Sequence, residues 1–140
     1  MSPENDKALC EAFPKIFINR NKNPKVSCMS FGFECGDGWY DVIYTLCGDI
    51  QHHIDHNLDP KVDKDSTQVV ATQVKEKFGG LRFYYQGGDA TIDGMVGLAE
   101  SLSYKICETC GNKGKAYNDG WIRTHCEKCE LEYQEKRKAR

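Results

Sequence analysis

Two Cys-x-x-Cys pairs constrain this chain more than any other feature. Cys107 and Cys110 open the stretch as C-E-T-C-G, fifteen residues follow, and Cys126 and Cys129 close it as C-E-K-C. Four thiolates at this spacing close a tetrahedron around one zinc ion. Gly111 stands where a knuckle turns tightly and a side chain resists left-handed backbone. Gly114, Asn118, Asp119 and Gly120 are turn formers, so a hairpin is expected between the knuckles. The segment E-L-E-Y-Q-E-K-R-K-A-R after Cys129 is rich in helix formers. A helix starting at the second pair aims backbone N–H groups at sulfur and favours thiolate. Knuckle, hairpin, knuckle and helix describe a treble-clef or zinc-ribbon-like module. With four protein ligands such a site has no open position and is structural rather than catalytic.

The competing assignment is disulfides, since eight cysteines in 140 residues would suit a secreted scaffold. The opening M-S-P-E-N-D-K has no apolar signal core, which favours a reducing cytoplasm and zinc. His125 beside Cys126 is an alternative fourth ligand. Cys10, Cys28, Cys35 and Cys47 match no knuckle spacing, and free cysteine is often a small buried hydrophobe.

The rest of the chain carries enough apolar residues, 39% with 11% aromatics, for a core of its own. No apolar run is long enough to span a membrane. Residues 106–140 hold eight Lys and Arg against six Asp and Glu, a local +2 within a net charge of −2. That is too small an excess for a dedicated duplex binder, so any nucleic-acid contact is local.

Residues 1–105 are expected to form an α+β core, and 106–140 the zinc module with its terminal helix. A short helix at K-A-L-C-E-A-F-P ends at Pro14, and Ile16–Ile18 is a strand or an anchor. Gly36 and Gly38 make a turn in which Asp37 is placed to cap the next helix. In that helix Trp39, Ile43, Leu46, Cys47, Ile50 and Ile54 recur at steps of three and four. His52 and His56 fall opposite this stripe and His53 at its edge. The stretch V-V-A-T-Q-V-K and the alternation of Leu81 and Phe83 with Arg82 and Tyr84 make a β-hairpin around Gly79 and Gly80. A second helix follows, over about Thr91–Ser103, with Met95, Leu98, Ala99 and Leu102 on its inner face. The fold class is thus a small antiparallel sheet packed with two helices, plus the C-terminal module.

Three motifs together carry a resemblance: C-G-D-G-W-Y-D-V-I at Cys35–Ile43, V-K-E-K-F-G-G-L-R-F-Y at Val74–Tyr84, and C-E-T-C-G followed by G-W-I-R-T-H-C at Gly120–Cys126. The chain resembles a group of small uncharacterised proteins encoded by bacteriophages and prophages. The resemblance implies a cytoplasmic protein of an infected or lysogenic bacterium that binds a host protein, a nucleic acid or a signalling ligand, in host takeover or anti-defence. It assigns no activity to any residue.

Three functions follow as expectations. The first is a non-enzymatic binding module acting on a host protein or ligand. The second is a nucleic-acid binder using Lys113, Lys115, Arg123 and the basic tail. The third is a nucleotide binder or hydrolase using Arg82, Tyr84 and the histidines. The candidate binding surface is Lys75, Lys77, Arg82, Tyr84 and Arg123, where cations and an aromatic ring suit phosphate and base. The pair His52 and His56 lacks the general-base glutamate of the HExxH pattern and reads as polar surface.

Overall fold

The computed structural model describes residues 1–140. The apolar stripe read from the sequence becomes helix α2 (Tyr40–His52), entered through a tight turn at Asp37–Trp39 and extended by a wide turn at His53–Asn57. All six stripe residues are buried, with Trp39, Ile43, Cys47 and Ile50 sealed from solvent completely. The first helix, α1 (Pro3–Ala12), begins earlier than expected because Ser2 caps it and Pro3 starts it. Ile16 and Phe17 are buried without forming a strand, so this segment is an anchor.

The sheet of the core has three strands, β1 (Phe33–Glu34), β2 (Val70–Lys77) and β3 (Gly80–Gln86), in that spatial order. A one-turn helix, α3 (Lys64–Thr67), precedes β2. β2 and β3 are the expected antiparallel hairpin, and β1 joins β2 in parallel, pairing Phe33 with Val74. The imperfect alternation of β2 has a cause: the register shifts between Ala71 and Gln73, and this bulge keeps both Ala71 and Val74 in the core.

Helix α4 (Ala90–Ser103) packs on α2 and β3. Its inner face differs from the expected one. Ile92, Val96, Ala99 and Ser103 are buried, whereas Leu98 and Leu102 are exposed and Met95 is half-buried. The phase is set by polar groups that an apolar periodicity ignores. β3 is an edge strand, and α4 satisfies that edge: Ser103 Oγ accepts the Leu81 N–H at 2.8 Å and a Glu100 carboxylate oxygen accepts the Phe83 N–H at 2.9 Å. Turning those two side chains onto the sheet rotates Leu98 and Leu102 outward.

The C-terminal part folds as β4 (Lys115–Asn118), β5 (Ile122–His125) and α5 (Glu127–Lys138), with β4 and β5 antiparallel. It docks on the turn before α2. The Gly38 N–H donates to the Glu108 carbonyl at 2.7 Å, the Gly36 N–H to the Glu108 carboxylate at 2.9 Å, and Trp39 Nε1 to the Ile106 carbonyl at 2.9 Å. A Cβ on Gly38 would lie 2.0 Å from the Cys107 carbonyl oxygen, and one on Gly36 2.4 Å from that of Glu108. These glycines are therefore required by close backbone approach. Asp37 does not cap α2 as expected: its Oδ1 accepts the Ser2 N–H at 2.7 Å and Asn5 Nδ2 at 3.0 Å, so it fastens the start of α1.

Candidate metal centre

The first knuckle is shaped by backbone bonds. The Cys107 N–H donates to the Asn112 carbonyl and the Gly111 N–H to the Cys107 carbonyl, with Gly111 in the left-handed region at φ 83°. Glu108 N–H reaches the Thr124 carbonyl at 3.0 Å and ties this knuckle to β5. The second knuckle is the start of α5. Cys126 is its N-cap, and its Sγ accepts the Cys129 N–H at 3.4 Å.

These elements bring the Sγ atoms of Cys107, Cys110, Cys126 and Cys129 within 4.8 Å of one another. Cys110 and Cys126 sulfurs stand 3.6 Å apart. A disulfide needs about 2.05 Å, and a tetrahedron with metal–sulfur bonds of about 2.3 Å has edges of about 3.8 Å. The four sulfurs thus fit one shared metal ion, and all eight cysteines are free thiols. The N–H of Cys129, followed by the neighbouring thiols, lowers the pKa of Cys126 to about 7, while burial raises that of Cys129. An ion bound by the four sulfurs would displace the protons that the thiols carry.

His125 is not a ligand. Its Nδ1 lies 2.9 Å from Glu130 in a buried network next to the cluster. Arg123 is the centre of that network and is only 4% exposed. It donates to Glu130 through Nε at 2.9 Å and Nη2 at 2.5 Å, to Asp119 at 2.7 Å and to the Trp121 carbonyl at 2.8 Å, with Tyr133 stacked 4.4 Å from the guanidinium. Arg123 beside it holds the Glu130 pKa down at about 2. Arg123 therefore braces the module and is withdrawn from the candidate binding surface. The sequence placed it on the outside because an arginine in a turn-rich hairpin is usually solvated; its acidic partners lie four and seven residues away.

The other expected residues divide. Arg82 and Tyr84 share the outer face of β3, but Arg82 leans away and donates to Tyr104 Oη at 3.0 Å and to its neighbour's carbonyl, Leu81 O. Tyr84 lines a shallow cleft with Cys28 and Gln73. Lys75 and Lys77 line a different and larger cleft with Phe78 and Trp121, two aromatic residues that sequence reasoning passed over. Lys113, Lys115 and the tail residues Lys136, Lys138 and Arg140 are exposed. His52 and His56 are exposed with rings 4.8 Å apart, and His53 Nε2 is 2.8 Å from Asp89, the N-cap of α4. Cys10, Cys28, Cys35 and Cys47 form no metal cluster; burial pushes the Cys35 thiol up to about 12. The exposed side of α4 and the adjacent side of α2 enclose an apolar groove of about 300 Å³.

No protein-family model, curated protein or solved structure matches the chain. No helix is long and apolar enough to cross a membrane.

Proposed function

We propose that this is a zinc-clipped binding module of phage type that docks on a host protein, with zinc held by Cys107, Cys110, Cys126 and Cys129 as a structural ion. Zinc is favoured by the donor set, because four thiolates at tetrahedral spacing suit it and leave no position for a reacting water. The ion fixes the hairpin and α5 against the turn before α2.

The observation that carries the docking role is the groove between α2 and α4. Val42, Leu46, Met95 and Leu102 line it, and Leu98 stands at its edge 64% exposed. Gly94 precedes Leu98 by one helical turn and has nothing within 4 Å of where a Cβ would be. A mid-helix glycine costs about 1 kcal/mol relative to alanine, and no internal contact offsets it here. It leaves α4 without a side chain one turn before Leu98. Asp41 and Asp49 rim the groove with negative charge. The partner that fits is a helical segment with an apolar stripe flanked by Lys or Arg.

The test compares proteins captured from bacterial lysate by the native chain and by a Leu98→Glu, Leu102→Glu variant with the same metal content. A partner held by the first and lost by the second supports the reading. Identical captured sets overturn it.

A further inference from the structure

Away from that groove, two hairpin tips meet. The turn Phe78–Gly79 joins β2 to β3, and the turn Asp119–Trp121 joins β4 to β5. The first is clamped to the second hairpin: Thr124 Oγ1 donates to the Gly79 carbonyl at 2.6 Å, and Gly79 packs on Ile122 so closely that a Cβ would lie 3.1 Å from it. Between the tips lies a cleft of about 570 Å³ lined by Lys75, Glu76, Lys77, Phe78, Asn118 and Trp121.

Phe78 is unusual in both backbone angle and exposure. It has φ 53° and is the only residue other than glycine with positive φ. In a two-residue hairpin turn that position suits asparagine, aspartate or glycine, and a bulky side chain there is disfavoured. The ring gains little burial in return, being 64% exposed, and Trp121 across the cleft is 65% exposed. Two large rings held out at adjacent tips contribute nothing visible to the core.

The charges point the same way. Lys75 and Lys77 take part in no ion pair. Lys75 also faces Arg82 directly across the strands, a like-charge pair that weakens a sheet. The cleft's carboxylate is already engaged, because Glu76 accepts the Gly79 N–H at 2.7 Å, and neighbouring Asp119 is held by Arg123 and Arg137. Lys77 Nζ sits 5.6 Å from the Phe78 ring centre, so a cation lies beside a stacking face. Exposed aromatic rings and unpaired cations lining one cleft match a ligand that alternates flat bases with phosphates.

We propose that this cleft binds single-stranded nucleic acid, with bases stacking on Phe78 and Trp121 and Lys75 and Lys77 meeting the phosphates. The site uses neither the α2–α4 groove nor the metal ligands. A duplex hides its base faces and is a poor ligand for it.

The probe is a fluorescein-labelled oligothymidylate of about twelve nucleotides, within the span such platforms cover. Anisotropy should report binding that single-stranded competitor reverses better than duplex of equal length. Quenching of exposed Trp121 should accompany it, with buried Trp39 as a constant background. Phe78→Asn should keep its metal and its melting temperature, since asparagine suits the turn, yet lose on the order of 5- to 100-fold in affinity, as should Trp121→Ala. Lys75→Gln with Lys77→Gln should flatten the slope of log K against log salt by about 1.4, the value for two single-strand phosphate contacts. The proposal is overturned if the native chain shows no saturable binding at about 100 µM and low salt. It is equally overturned if Phe78→Asn and Trp121→Ala bind as well as the native chain, or if inorganic polyphosphate competes as well as the oligonucleotide, since charge alone would then account for binding.

Discussion

Replacing Arg123 by methionine should reach further than any other single change in the C-terminal module. Methionine keeps an unbranched stem against Tyr133 but removes five donors. Glu130, 7% exposed, then keeps only His125 and Gln134 as partners. Breaking a buried pair by deleting one member costs about 3–5 kcal/mol, because the survivor stays desolvated. Those two remaining bonds place the expectation near 3 kcal/mol. Since the module must fold to hold a metal ion, the same energy should weaken metal affinity by about 100-fold. Glu130→Gln alone should also destabilise, and the double variant should cost clearly less than the sum, because no uncompensated charge remains. Urea unfolding followed by circular dichroism, with chelator competition for the metal, measures both quantities. The pH dependence has a definite sign. Glu130 has its pKa lowered from 4.5 to about 2 in the folded chain, so its contribution is complete above about 4.5 and is lost as pH falls towards 2. That acid-dependent loss should shrink in the Arg123→Met chain. A cost below about 1 kcal/mol, or strictly additive single variants, would refute the reasoning and reduce the network to solvated surface.

Further outcomes follow from the seam and the cluster. Elemental analysis of the native protein should find one tightly bound zinc per chain, and Cys107→Ser should abolish it; a metal-free native chain with two disulfides there would contradict the site. Trp39→Ala should lower stability by about 3–5 kcal/mol in denaturant titration, as expected for a large buried aromatic. Gly38→Ala should cost about 3 kcal/mol or more, the upper end of overpacking, because the new methyl group meets a carbonyl of the backbone rather than a movable side chain; an unchanged melting temperature would show that the seam yields. Leu98→Glu should leave the melting temperature within a few degrees, since the side chain is mostly in water.

What the sequence disclosed depended on whether identity and spacing carried the physics. The four thiols were legible because metal geometry dictates their spacing, and α2 because Trp39 to Ile54 keeps a clean helical period. The face of α4 was misjudged because Leu98 and Leu102 look more like core than Ser103, whose burial depends on an edge N–H of a distant strand. Asp37 sits at a helix start by sequence, yet the donors it satisfies belong to α1. Arg123 and Glu130 are seven apart in a strand and a helix, and no local pattern announces that their side chains meet. Phe78 drew no notice beside Gly79 and Gly80, the glycines that mark the hairpin in the sequence. Its positive φ and its exposure distinguish it, and neither can be read from the sequence.

The seam between Gly38 and the first knuckle implies a rule of inheritance. Glycine at 36 and 38 answers to the carbonyls of Cys107 and Glu108, and those carbonyls take their places from the knuckle that brings the four cysteines together. In any lineage of related chains the two glycines and the four cysteines should therefore be kept or lost together. A relative that has discarded its cysteines is free to put side chains at 36 and 38, and one that has acquired a side chain at 38 is expected to have a remodelled knuckle. Sequencing of divergent relatives can read that linkage without a single structure being solved.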